Sequence, residues 1–226
     1  MSPKCRLILD LDDTIIPSTL AYRQAYQACN IDENSENFKL ARNTVKTRLT
    51  KNNPASHNRF LYFKTYLEIL NQLSPRKLFE ICNIYETELA NYISEFWKNS
   101  KSKDFFLQLQ SQNIPYVLLT NENTRTQMLK INAIDADGSL FPNIITSEEY
   151  GMEKPNIELF KAAAKSLNCE LHECTMLGDS WENDIHPMIQ FGGRSIWTNE
   201  FLPFKNVPAQ DKVKQIKSLR ELHQNI

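Results

Sequence analysis

The sequence predicts an α/β fold, and two observations carry that prediction. Short apolar runs without polar alternation recur along the chain, each followed by a helical pattern. Such runs belong in a parallel sheet covered on both faces, where no polar side exists to alternate with. A stretch from about residue 19 to 98 breaks this rhythm: it offers helical patterns and no convincing strand, and so reads as a helical insertion.

The elements follow in order. Arg6 to Leu11 (RLILDL) is the first strand and ends in acids. Within the insertion, helices are expected near Thr19–Cys29, Phe38–Thr50 and Asn58–Gln72. The clearest helix begins at Ser74-Pro75, where serine suits the N-cap and proline the first helical position, and carries Leu78, Ile81, Ile84, Tyr85, Leu89, Tyr92, Ile93 and Phe96. Pro17 and the polar run Asn99-Ser-Lys-Ser-Lys103 read as two linkers suited to a mobile lid. They divide the chain into a core of residues 1–17 and 99–226 and a cap of residues 18–98. The core resumes with a helix over Asp104–Gln112, the strand Pro115–Thr120 (PYVLLT), a helix over Thr124–Ile131 and a weaker strand at Asn143–Thr146. A helix over Asn156–Leu167, the strand Cys174–Leu177, a helix near Ile185–Gln190 and a weaker strand at Arg194–Trp197 complete the alternation, which implies right-handed crossovers. Pro187 is tolerated only in a first helical turn, so the helix near it starts or bends close to Asp184. Asp211 is expected to cap a last helix that packs Val213, Ile216 and Leu219 on the core.

Composition narrows the function classes. At 226 residues the chain is long enough for a large core and nothing forces assembly, so a monomer or homodimer is expected. Lys and Arg total 26 against 27 Asp and Glu, a net charge of −1, which leaves no global electrostatic case for a nucleic acid polymer or an anionic membrane. Hydrophobic residues at 41% and aromatics at 10% exclude a disordered chain. No apolar stretch approaches the roughly 18–20 residues of a membrane span, and the N-terminus runs into carboxylates instead of a signal-peptide cleavage site, so a cytoplasmic protein is expected. The five cysteines are scattered, which favours reduced thiols. Only Cys169, His172 and Cys174 hint at metal spacing, and they lack a fourth ligand, which favours buried thiols flanking a strand over structural zinc.

Chemistry concentrates where strands end. Asp10-Leu11-Asp12-Asp13-Thr14 directly follows an apolar run, and alternation would put Asp10 and Asp12 on one side, at the carboxyl edge where open α/β sheets bind ligands. Two crowded carboxylates are tolerable if a divalent cation sits between them, or if one is protonated and works as an acid. Thr120-Asn121 follows PYVLL and offers a hydroxyl and free N–H groups to an anion at a helix start, although alone it reads as a helix cap. Lys154, before a helix in Glu-Lys-Pro, could neutralise a phosphoryl oxygen. Asp179 and Asp184 in Gly-Asp-Ser-Trp-Glu-Asn-Asp bring two more carboxylates to the end of Cys174–Leu177.

The ordered set DLDDT, LLTN, EKP and GDSWEND resembles the four motifs of the haloacid dehalogenase superfamily, in members with a helical cap inserted after the first motif, and the likeness spans essentially the whole chain. The resemblance implies a doubly wound parallel sheet and a magnesium-dependent phosphatase acting on a small phosphorylated metabolite. It makes Asp10 the nucleophile and Asp12 the acid and then base. Thr120 and the backbone at Asn121 become binders of phosphoryl oxygens, and Lys154 a charge stabiliser. Mg²⁺ would be held by Asp10, Asp179 and the backbone carbonyl of Asp12, with Asp184 orienting Lys154 or a metal-bound water. An aspartate at position 12 favours phosphoryl chemistry, because cleavage of a carbon–halogen bond needs no leaving-group acid there. The alternatives are a phosphotransferase or mutase resembling β-phosphoglucomutase, a phosphonate hydrolase with a cap lysine, and a catalytically silent binding protein. His57 and Arg59 of the cap could read the substrate, and Tyr22 and Tyr26 of the cap with Trp181 of the core could stack on it, although a solvated helix start and core packing explain them as well. His186 is expected to be structural, since every catalytic role is filled without it.

Overall fold

Six strands, β1 (Arg6–Leu9), β2 (Tyr116–Thr120), β3 (Ile144–Thr146), β4 (Cys174–Gly178), β5 (Arg194–Thr198) and β6 (Val213–Ile216), form one sheet in the order β3-β2-β1-β4-β5-β6. Every neighbouring pair is parallel. The computed structural model describes residues 6–50, 52–100, 102–204 and 211–223, so Cys5 lies outside it.

The sheet is covered on both faces, which is why its strands carry no polar side. Leu7 and Leu9 of β1 and Leu118 of β2 pack with Phe105, Phe106 and Leu109 of α5 (Ser102–Ser111). Ile8, Val117 and Leu119 point the other way, onto Leu159, Phe160 and Ala163 of α8 (Ile157–Ser166) and Met188 of α9 (His186–Gln190). Truncating a core side chain such as Ile8 to alanine costs about 2–5 kcal/mol. The chain runs outward from β1 to β3 on one side and from β4 to β6 on the other, so the order reverses between β1 and β4. Open α/β sheets place their ligands at such a switch point.

Among the described residues, the chain between β1 and β2 is strand-free. α1 (Ser18–Ala28), α2 (Glu36–Arg48), a 3₁₀ turn at Pro54–His57, α3 (Arg59–Ile69) and α4 (Pro75–Asn99) precede α5. Ser35, Asn58 and Ser74 cap α2, α3 and α4 by accepting N–H bonds from the first turn. Tyr26, Phe38, Phe63 and Tyr85 form an aromatic centre, with Tyr26 to Phe38 centroids at 4.9 Å and Phe63 to Tyr85 at 5.2 Å. α4 buries Leu78, Cys82, Tyr85, Leu89, Ile93 and Trp97, a 3.6-period stripe that leaves Ile84 outside it and 39% exposed.

Several expectations are corrected. Val213 to Ile216 is a strand and not a helix: β5 has an open outer edge, and its backbone bonds claim the segment, Ser195 N–H donating to Lys212 O at 3.0 Å and Asn199 N–H to Ile216 O at 3.2 Å. Ile216 and Leu219 are nevertheless buried as expected, and a single turn, α10 (Arg220–His223), follows. β1 ends at Leu9, so Asp10 to Asp12 lie in a loop and strand alternation does not align them. The helix near Asp184 is a π turn over Trp181–Ile185 that passes into α9 with Pro187 in its first turn. α6 (Thr124–Asn132) forms as expected, while the short α7 (Ser147–Tyr150) was not expected. No helix among the described residues is long and apolar enough to cross a membrane.

Candidate active site

A crevice of about 260 Å³ opens at the switch point and is lined by Asp10, Asp12, Asn121, Lys154, Asp179 and Asp184. Four loops from four strand ends thus meet where the motif order placed them. The loop after β1 is closed by Asp13, whose left-handed backbone (φ 54) lets its N–H reach Ile16 O at 2.8 Å while its carboxylate accepts from Thr19 N–H at 2.9 Å.

Asp10 is 6% exposed, and Lys154 Nζ donates to its Oδ1 at 2.8 Å and to Asp184 Oδ1 at 2.6 Å. Thr14 Oγ1 lies 3.5 Å from Asp10 Oδ2 and 3.2 Å from Asp179 Oδ1, binding the two strand ends together. Gly178 is required here: a Cβ at that position would stand 2.5 Å from Asp184 Oδ2, so only glycine lets the π turn fold Asp184 back under Lys154.

Burial pushes the Asp10 carboxyl up to about 7, with Lys154 opposing the rise and Asp184 and Asp12 adding to it. Burial, then Asp10 and Asp184, push Asp179 up to about 8. The Lys154 ammonium is raised as well, because Asp10 and Asp184 outweigh the burial that disfavours its charge. Carboxyl oxygens of Asp10, Asp179 and Asp184 lie within 4.8 Å of one another. Three hard carboxyl groups this close, two of them, Asp10 and Asp179, kept from ionising by burial and then by their neighbours' charge, fit a small divalent cation that offsets their repulsion.

The Asp12 side chain is not part of that acidic group. Its Oδ1 accepts from Lys130 Nζ at 2.5 Å and from Ser18 Oγ, and its Oδ2 accepts from Gln127 Nε2 at 2.8 Å. Burial alone would raise its carboxyl, but Lys130, then Ser18 and Gln127, hold it below the usual value. Thr120 lies beneath the crevice, 1% exposed, its Oγ1 accepting from Gln127 Nε2 at 2.7 Å. The Asn121 side chain acts as a clamp, accepting Lys154 N–H at 2.7 Å and donating to Lys154 O at 3.2 Å, which fixes the backbone that carries the lysine.

The insertion reaches the crevice rim through core carboxylates. Arg59 pairs with Glu122 at 2.8 Å and lies 4.4 Å from the Tyr22 ring, while His57 Nε2 is 3.0 Å from Glu153 Oε1. Glu122 and Glu153 adjoin Asn121 and Lys154, so both residues of the insertion meet neighbours of the site and do not line the crevice itself. Tyr26 is core, 4% exposed. His186 stacks on Trp181 at 6.0 Å, outside the crevice lining. Cys169 and Cys174 are free thiols with sulfurs 3.3 Å apart.

Lys130, Gln127 and Glu122 escaped the sequence reading. Gln127 and Lys130 stand three residues apart on one face of α6, a spacing visible in the sequence, but only the structure shows that this polar face is fully buried while Met128 between them is 38% exposed.

A parallel sheet with a lysine-bridged acidic crevice at its switch point defines an α/β enzyme whose chemistry centres on carboxylates. The profile of the haloacid dehalogenase-like hydrolases matches residues 6–192, and the chain belongs to that family. It is 30% identical over 190 residues to the ribulose-1,5-bisphosphate 5-phosphatase of Halopiger xanaduensis, covering 79% of this chain and 78% of the relative. It is 23% identical to the glyceraldehyde 3-phosphate phosphatase of Pyrococcus abyssi, over 84% and 79% of the two chains. Among solved structures, the magnesium-bound HAD-hydrolase YfnB of Bacillus subtilis superposes with a TM-score of 0.65 at 21% identity, over 99% of this chain and 98% of that one.

Proposed function

We propose that this haloacid dehalogenase-like phosphatase uses Mg²⁺ to hydrolyse a small soluble phosphomonoester, a sugar phosphate or nucleotide, through an aspartyl-phosphate on Asp10. The observation that carries the reading is the Asp10 carboxylate at the switch point, held by Lys154 at 2.8 Å with Asp179 and Asp184 beside it. The names of the relatives, each a phosphatase of a phosphorylated sugar or triose, support the ester class.

Asp10 and Asp179 would hold the ion, with the Asp12 carbonyl as the family pattern implies, and Asp184, whose carboxylate stands beside them, would orient Lys154 or a metal-bound water. The ion would supply positive charge that lets an anionic nucleophile approach an anionic ester. The Asp10 oxygen attacks phosphorus and the ester P–O bond breaks. Asp12, a carboxylate in the free protein, passes to the leaving oxygen a proton taken up with the ester, then takes one from the water that attacks the aspartyl-phosphate; inorganic phosphate leaves, Asp10 is a carboxylate again and Asp12 again carries the proton. Lys154, oriented by Asp184, offsets charge on the nucleophile and the transferred group. A loose transition state asks mainly for this kind of positioning. The Asn121 N–H would hold a phosphoryl oxygen, whereas Thr120, buried beneath the crevice with its hydroxyl on Gln127 and on the Asn121 carbonyl, would hold that backbone in place instead of meeting the phosphoryl group. Residues 18–98 act as a cap over a core of residues 1–17 and 99–226, excluding water and admitting small esters from the cytoplasm.

Phosphate release from a panel of esters, with Mg²⁺ and with EDTA, tests the reading. Activity that requires the metal and disappears in Asp10→Asn is expected. EDTA-insensitive turnover, or release by Asp10→Asn within tenfold of the unsubstituted chain, would overturn it.

A further inference from the structure

A buried lysine outside the ordered motif set stands directly against Asp12. Lys130 has no exposed side chain, its Nζ lies 2.5 Å from Asp12 Oδ1, and it also donates to Tyr22 Oη of α1. One turn earlier on α6, Gln127 donates to the other oxygen of Asp12 at 2.8 Å. Ser18, four residues before Tyr22 on α1, donates to Asp12 Oδ1. Both oxygens of one carboxylate are therefore held, from α6 on one side and the first turns of the helical insertion on the other. Tyr22 is itself fixed on the far side, its Oη 3.3 Å from Glu122 Oε2 and its ring 4.4 Å from the Arg59 guanidinium of α3.

Packing alone does not explain a charge at this place. Desolvating an ammonium costs several kcal/mol, and a leucine or methionine would fill the same volume on a buried helix face without that cost. The lysine makes sense through its acceptors, Asp12 and the tyrosine of the insertion.

We infer that Lys130 is a positioning residue for Asp12, fixing the direction in which that carboxyl meets the leaving oxygen, and that Tyr22 makes this hold depend on α1 being seated on the core. The inference rests on the reading of Asp12 as the acid and base of phosphoryl transfer. It separates Lys130 from Lys154: the latter serves the nucleophile, the former the proton-transfer group.

Leaving-group dependence tests it. p-Nitrophenyl phosphate expels an anion that needs no proton, whereas an alkyl monophosphate such as glycerol 3-phosphate needs one, and a well-placed acid is worth about 10²–10⁴-fold. In Lys130→Met, kcat/KM for the alkyl ester is expected to fall at least 30-fold further than that for the aryl ester. Lys130→Arg should recover part of the difference, and Tyr22→Phe should move it in the same direction by less. In an Asp12→Asn background, Lys130→Met should change the ratio by less than threefold. Equal losses for both esters in Lys130→Met, or a further change of ratio in the Asp12→Asn background, would overturn the inference. Should Lys130→Met fail to fold by circular dichroism, an unchanged ratio in Tyr22→Phe and Lys130→Arg together overturns it. Failure of the underlying reading looks different, because Asp12→Asn would then leave the alkyl-to-aryl ratio unchanged.

Discussion

Replacing Gly178 with alanine is expected to break the site from beneath, without touching any group that meets substrate. The added Cβ would stand 2.5 Å from Asp184 Oδ2 and 2.6 Å from both Cβ and Cγ of Asp184, inside the 3.0 Å that such atoms keep. Because the Asp184 Cβ is itself in the way, no carboxylate rotamer relieves the contact, and the π turn Trp181–Ile185 has to move. That movement breaks the 2.6 Å bond from Lys154 Nζ and the 3.1 Å bond from Ser180 N–H. Overpacking costs about 1–3 kcal/mol and a lost buried bond to a charged group about 1.5–3 kcal/mol, together about 2.5–6 kcal/mol. At about 2–4 °C per kcal/mol for a chain of this size, Tm should fall by roughly 5–24 °C, and phosphate release should fall with it as Lys154 loses one of its two carboxylates. Gly138→Ala is the control: open space surrounds that position, but φ is +70°, so only backbone strain of about 1–2 kcal/mol applies. Thermal unfolding by circular dichroism in metal-free buffer measures both. A Gly178→Ala protein that melts within 3 °C of the unsubstituted chain, or no lower than Gly138→Ala, would refute the steric account of Asp184.

Asp10→Asn should lower phosphate release by at least about 10³-fold while Tm moves by only a few degrees, since a group whose ionisation burial already opposes tolerates a neutral amide; a collapse of Tm would make its role structural. Burial holds Asp10 and Asp179 at about 7 and about 8, so the folded metal-free chain keeps protons that the unfolded chain releases near pH 4. That contribution to stability is complete below pH 4 and is lost as pH rises through 7 to 8. Mg²⁺ should accordingly raise Tm by about 5–10 °C at pH 8 and saturating ion, and by much less at pH 5.5; equal shifts at both would remove the ion from this site. Arg59→Met strands the Glu122 carboxylate, whose side chain is 7% exposed, and should cost about 3–5 kcal/mol, part of which Glu122→Gln restores in the double variant; additive losses would deny the pair.

The sheet was legible because both its faces are buried, so each strand announces itself as an apolar run bounded by helices; even the three-residue β3 lies inside the expected Asn143–Thr146. The C-terminal segment was not legible, for a physical reason. Val213, Ile216 and Leu219 recur every third residue, as on a helix, yet β6 is an edge strand with a mixed burial pattern, and only the open edge of β5 decides its conformation. The end of β1 at Leu9 shows the same limit: RLILDL continues as an apolar pattern through Leu11, but Asp10 N–H bonds to Leu177 O at 2.9 Å and the chain then turns into the site loop.

The candidate site divides along a similar line. Asp10, Asp12, Lys154, Asp179 and Asp184 could be read because each sits within a few residues of a strand end or helix start, and strand ends converge wherever the sheet reverses its order. Lys130 and Gln127 could not be read that way, since their meaning lies in partners 118 and 115 residues distant, and Arg59 was legible only as a candidate substrate contact and not as the partner of Glu122, 63 residues away. A lysine in the sequence of a helix looks like a solvated face until its burial is known. Buried, it requires a counter-charge, and the search for that charge leads to Asp12. The same reasoning applies to Glu122, held at φ 108 and 6% exposed: strain and burial together mark a residue that its surroundings over-determine, here the Arg59 guanidinium and the Ser147 hydroxyl that accepts its N–H at 3.0 Å. Motif residues that perform the proposed chemistry are thus local in sequence, while those that aim them are distant partners paired through charge in the folded interior.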